Sequence, residues 1–228
     1  MGKNDNVNNA RPEPVFVVDR RGSMGGLVSD TIGGFNSMLS KQRTIAGECR
    51  VTTLLFDHRI ETLHNHLDIR EVNDLTSRDY WVRGSTALLD AIGLAIDRMI
   101  VTQRHTAAAY RAQHVLFVII TDGYENASRR YSLHQIKQMI TYERERYHWE
   151  FVFLGANIDA EQTAGDFGIS PRCATDLHAD GQGIKASFEA VACAATAVRG
   201  GADLDDLSAP DFLGGVRDDY RSRRRMKR

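Results

Sequence analysis

No apolar run in this chain approaches the roughly 20 residues needed to span a bilayer. The N-terminal MGKNDNVNNARPEP likewise lacks the apolar stretch of a secretory signal. Met1-Gly2 opens like an acylation signal, but Asn6 stands where serine or threonine is needed. A membrane anchor is therefore not expected, and the cytoplasm is the expected compartment. Cysteine is scarce: Cys49, Cys173 and Cys193 are odd in number and lack CxxC spacing, which argues against a disulfide framework or a zinc site. A surplus of charge is also missing. The net charge of −1 gives no field for nucleic acid or an anionic membrane, and neither is expected as a partner. No HExxH motif, no GxGxxG after the first apolar run and no internal repeat is present.

What remains is an ordinary globular composition, 42% hydrophobic and 26% charged, long enough for one sizeable α/β domain. The chain is organised around PVFVVDRRGSM. Four apolar residues, Val15–Val18, end at Asp19, and a polar glycine-containing turn follows. A short apolar run stopping at a carboxylate is how a buried parallel strand delivers a functional group to the end of its sheet. Val115–Ile120, followed by Thr121 and Asp122, repeats the arrangement about a hundred residues later.

Between these runs, RVTTLLF (Arg50–Phe56) predicts a strand. Asp57-His58 predicts a tight turn, and Ile60–Leu67 predicts an antiparallel edge partner. Helices are predicted from Ser29 or Asp30 to about Thr44, over Thr86–Ile100 and from Ser132, the last with Leu133, Ile136 and Ile140 inward. Gly33 and Gly34 fit the first helix if it packs closely on the sheet. Further along, Glu150–Leu154 reads as a strand, Ala160–Phe167 as a short helix, Pro171–Thr175 as a short last strand and Gly183–Val198 as an alanine-rich helix. Residues 1–14 read as a flexible lead-in, 15–198 as one domain, and 199–228 as a polar extension with a basic, solvated tail from Arg223. The fold class is α/β: a doubly wound, mostly parallel sheet with one antiparallel edge strand and helices on both faces.

In such a sheet the functional crevice lies beyond the carboxyl ends of the strands where strand order reverses. Asp19 and Asp122 fall there. With Ser23 and with Thr86 of RGSTALLDAIG they supply an oxygen set suited to a hard cation such as Mg2+. Competing roles are plain. The acids could cap helices, Thr86 or Ser85 could be an N-cap, and Ser23 could be a turn residue. Arg20 and Arg83 read as surface charges, Glu125 as exposed, and His58, His64 and His66 as surface histidines.

FVVDRRGSM, RGSTALLDAIG and IITDGYEN, in that order, resemble the von Willebrand factor type A domain family, of the intracellular bacterial type, over roughly residues 15–197. The resemblance implies a metal-ion-dependent adhesion site with Asp19, Ser23, Thr86 and Asp122 around Mg2+ or Mn2+. It also implies a protein partner whose acidic side chain completes the coordination. One position departs: Arg21 stands where the family has its first serine. A guanidinium has no lone pair to give. About 4 Å from a cation it repels by ~4 kcal/mol per unit charge at an effective dielectric of 20, and about twice that for a dication. Two arrangements are open: Arg21 turns to solvent while water fills its place, or its guanidinium bridges Asp19 and Asp122 and replaces the ion. The expected function is a protein-binding module docking at this site, weakened by Arg21, with a metal-free scaffold as the alternative. Catalysis is not expected. An aspartate-nucleophile phosphatase needs a second acid where Arg21 stands, and Asp122 is followed by Gly123.

Overall fold

The computed structural model describes residues 11–206, 208 and 210–226. Six strands, β1 (Pro12–Asp19), β2 (Arg50–Phe56), β3 (Ile60–Asp68), β4 (His114–Thr121), β5 (Glu150–Ala156) and β6 (Ala174–Leu177), form one sheet in the order β3-β2-β1-β4-β5-β6. Only β3 is antiparallel, as the short connection Asp57–Arg59 requires. Sequence order reverses between β1 and β4, which places Asp19 and Asp122 at neighbouring strand ends. Val15–Val18 are fully buried, each side chain contributing about 1.5–3 kcal/mol of apolar transfer.

Helices cover both faces. α1 (Val28–Arg43) packs on α5 (Gly181–Arg199), with Phe16, Phe35 and Phe188 in edge-to-face series. α2 (Leu88–His105) packs on α3 (Leu133–Tyr147) over the other face, and α4 (Ala160–Asp166) sets Phe167 against Phe153. The expected α2 face is buried: Leu88, Ile92, Ala95, Ile96 and Met99 all lie inside. α3 begins with a full capping box between Ser132 and Gln135. Leu133, expected inside, is instead exposed: it is the first residue of α3 and stands at the end of the helix, ahead of the buried Ile136 and Ile140. Gly34 is a close approach of α1 to α5 and not to the sheet: a Cβ there would lie 2.4 Å from the Phe188 ring.

The ends of the chain carry more structure than their composition suggested. β1 begins at Pro12, inside the predicted lead-in. Pro12 and Pro14 are tolerated because the ladder to β2 starts only at Val15, so this stretch has one partner strand. At the other end, Gly214–Met226 forms α6, which packs on α5 and β6. Its anchors are Leu213 and Val216, both buried, and the Arg217 guanidinium, which donates to the Pro171, Arg172 and Ala174 carbonyls beside the edge strand. The expected solvated tail is thus corrected at Arg223, whose guanidinium pairs with Asp180 and Asp219. Residues 1–10 of the lead-in and 227–228 of the tail lie outside the described residues.

Candidate functional site

Asp19 is the last residue of β1 and is fully buried. Its Oδ1 accepts from the Arg21 backbone N–H (2.8 Å), while Oδ2 accepts from the Thr121 hydroxyl (2.8 Å) and the Asp122 N–H (3.3 Å). Burial pushes its pKa up to about 6; these three hydrogen bonds and the Arg21 charge pull the other way and do not prevail. Asp122, also buried, accepts from the Asn157 side-chain amide at Oδ1. Asn157 follows β5 directly, in the left-handed region at φ 54°. The two acids expected to meet do meet, and the loops after β1, β4 and β5 close on one another.

Thr86 is buried but lies ahead of α2, whose N-cap is Ala87, so it is not the helix cap. Its backbone is clamped to the loop after β4: its N–H donates to the Asn126 side chain (3.0 Å), and its carbonyl accepts from the Asn126 and Ala127 N–H groups. The loop before it turns at Gly84, φ +67°, where a Cβ would fall 2.1 Å from the His58 ring. Glu125, expected exposed, is half-buried and serves the start of α2. It accepts from Leu89 N–H (2.9 Å), Ala127 N–H (2.8 Å) and Ser128 N–H (2.6 Å).

Arg21 answers the question its presence raised. Its Nη1 donates to Thr86 Oγ1 at 3.2 Å. The guanidinium lies on the bare Cα of Gly123, where a Cβ would be 1.8 Å from Nη1. It neither turns away to solvent nor bridges the carboxylates: among the described residues no ion pair within 4 Å joins it to Asp19 or Asp122. Ser23 stands exposed on the 3-10 turn Gly22–Leu27, with no hydrogen bond to its hydroxyl among the described residues. As arranged, these groups do not fit Mg2+ or Mn2+, because the Thr86 hydroxyl faces a cationic nitrogen and a unit positive charge already sits on the loop beside Asp122.

Beside this cluster stands a second one. Arg20, expected on the surface, is fully buried, with its Nε 3.2 Å from Asp57 Oδ2 and its Nη1 2.8 Å from Glu61. Arg83 Nε reaches the same Asp57 oxygen at 2.7 Å, and both guanidinium groups lie over the Trp81 ring. Among the histidines of the β3 hairpin, His64 is also buried, against the Thr53 hydroxyl at 3.1 Å. Thr121, Asn126, Asn157 and Asp57 escaped the sequence reading. The first two adjoin Asp122 in IITDGYEN, whereas Asn157 and Asp57 carry only the signal of following a strand.

No family model matches the chain, and no curated protein matches it. Solved structures do. Proximal thread matrix protein 1 from the mussel byssus, in a form with a zinc-occupied MIDAS motif, is similar at 14% identity over 82% of this chain and 46% of its own, with a TM-score of 0.57. A von Willebrand factor type A protein from Catenulispora acidiphila is similar at 10% identity over 82% of this chain and 43% of its own (TM-score 0.54). Manganese-loaded TRAP protein from Plasmodium vivax is similar at 17% identity over 79% and 72% (TM-score 0.54). The chain thus spans less than half the length of the first two. Among the described residues no helix is long and apolar enough to cross a membrane. On strand order, the single antiparallel edge and these likenesses, the chain has the von Willebrand factor type A fold.

Proposed function

We propose that this chain is a non-enzymatic protein-docking module whose docking site is the pole around Asp19, Ser23, Thr86 and Asp122, with the Arg21 guanidinium in place of a divalent ion. The observation that carries this reading is the seat of Arg21, donating to Thr86 Oγ1 and lying against Gly123. A metal at such a pole presents positive charge to an acidic side chain of the partner. A guanidinium with one hydrogen bond made keeps further N–H donors for the same carboxylate, and a planar fork meets a carboxylate through two parallel bonds. Asp19 and Asp122 then hold the loops together through Thr121 and Asn157 and set the potential around the guanidinium.

The neighbouring structures with zinc or manganese establish that the fold can carry an ion, so the test is to restore the hydroxyl. Wild type, Arg21→Ser and Arg21→Ser with Asp122→Ala are titrated with Mg2+ and Mn2+ by calorimetry. The expectation is weak binding in wild type, at least tenfold tighter binding in Arg21→Ser, and loss of that gain in the double variant. Equal affinity in wild type and Arg21→Ser would overturn the replacement of the ion. A phosphate-ester hydrolysis rate that Asp19→Ala abolishes would overturn the non-enzymatic reading.

A further inference from the structure

At the opposite end of the sheet, ahead of β4 and β5, the groove between α2 and α3 holds a cavity of about 340 Å3. Three aromatic side chains form one wall. Tyr142 and Tyr147 meet at 6.0 Å between centroids, Tyr147 and Trp149 at 6.4 Å, and Trp149 stacks on the buried Phe117 at 5.5 Å. The two tyrosines are about half exposed, so their rings line the mouth, while Trp149 is 5% exposed.

Glu143 also lines this cavity and is only 4% exposed. It continues the inward seam of α3 set by Ile136 and Ile140, a place where a helix ordinarily puts an apolar side chain. Among the described residues its carboxylate has neither a hydrogen bond nor an ion pair. Burial holds its pKa above the usual carboxylate range, with the Arg104 charge opposing. Both carboxylate oxygens keep some solvent contact where Glu143 lines the cavity, so its charge is unpaired within the described residues and open to a cation that enters.

We propose that this cavity binds an organic cation, an alkylammonium or guanidinium head on an apolar stem, with Glu143 as its counter-ion and Tyr142, Tyr147 and Trp149 as its aromatic walls. Cations are drawn to aromatic faces, more strongly where water is excluded, and a buried carboxylate adds full charge to that attraction. The volume is at the small end of ligand cavities and suits one side-chain-sized group, not a nucleotide. Two cations of the chain also line the cavity. Arg111 is tied through its Nε to the Thr106 carbonyl at 2.9 Å. Arg104 is exposed on α2 and has no ion pair among the described residues, which makes it the chain's own rival for Glu143.

The full chain carrying Trp81→Phe, which leaves Trp149 as its one tryptophan, is titrated with n-butylammonium and n-butylguanidinium chloride at constant ionic strength, with n-pentanol as the uncharged control. The expected result is a saturable change in Trp149 fluorescence with either cation and none with the alcohol. Glu143→Gln weakens binding at least tenfold, and Arg104→Ala tightens it. Binding that Glu143→Gln leaves unchanged, or that pentanol reproduces, overturns the proposal. So does the absence of saturable binding in the Trp81→Phe chain. If Arg104→Ala alone then restores binding, Glu143 belongs to Arg104.

Discussion

Two fully buried aspartates stand side by side at the ends of adjacent strands, and their environments are opposite. Asp57, just past β2, lies against Arg20 and Arg83 and accepts from the Arg59 N–H at 2.7 Å. Burial alone would raise its pKa, but the Arg83 hydrogen bond, the Arg59 N–H and the two guanidinium charges prevail, and it is lowered. Asp19, one strand over, receives only neutral N–H and O–H donors, and its pKa rises to about 6. Both are closed to solvent, but Asp57 is less deeply enclosed and has two guanidinium partners, so depth and charge act in the same direction. Arg20 turns to Asp57, while Arg21, the next residue, passes over Asp19 to Thr86. Consecutive arginines thus build a neutralised structural pair and, beside it, a carboxylate left without one.

The largest effect is expected at the neutralised pair. Asp57→Ala leaves Arg20 without its buried counter-charge and with only the exposed Glu61, a loss of about 3–5 kcal/mol by comparison with broken buried pairs. Denaturant melts at neutral pH check it. A loss below about 1 kcal/mol would show that Glu61 alone satisfies Arg20. Asp19 gives the next largest effect, with the opposite dependence on pH. Its folded pKa is raised, so between about 4 and 6 the native state binds the extra proton and stability falls as pH rises. The fall amounts to ~3 kcal/mol if the shift is near two pH units. In buffers with chelator, Asp19→Asn should remove most of this slope, whereas Asp57 contributes stability that is present above its unfolded pKa and lost in more acidic solution. A slope between pH 4 and 6 that survives Asp19→Asn would assign it to another buried acid, of which Glu150, raised to about 7, is the nearest in range.

This comparison also separates what could be read from the sequence from what could not. Strand order, the edge hairpin and the approach of Asp19 to Asp122 follow from period and position, because an apolar run ending in an acid has few ways to sit in a doubly wound sheet. Arg20 was beyond that reading. In RVTTLLFDHR and VVDRRG nothing local distinguishes an arginine that turns under the sheet's end from one that stays in solvent; the choice is made by Asp57, 37 residues away. The α6 helix was missed for a related reason. Leu204, Leu213 and Val216 are too sparse to give a period, and the helix is held by Arg217 on carbonyls and Arg223 on carboxylates, contacts that composition registers only as charge.

The smallest expected effect tests where the Arg21 guanidinium rests. Gly123 is not in the left-handed region, so alanine is permitted by its backbone, and the obstacle to a Cβ is the Nη1 atom 1.8 Å away. That atom ends a flexible side chain, so the guanidinium can be displaced and the fold retained. Gly123→Ala should therefore cost on the order of 1 kcal/mol in wild type, at the lower end of overpacking penalties, and close to nothing in Arg21→Ser. The difference between the two costs is the coupling of residues 21 and 123, read from a double-mutant cycle of thermal melts. Displacement also takes Nη1 from Thr86, so Gly123→Ala should recover part of the Mg2+ affinity expected of Arg21→Ser while keeping the arginine. Additive costs, with no change in metal affinity, would place the guanidinium elsewhere in solution and remove the geometric basis for its standing in for the ion.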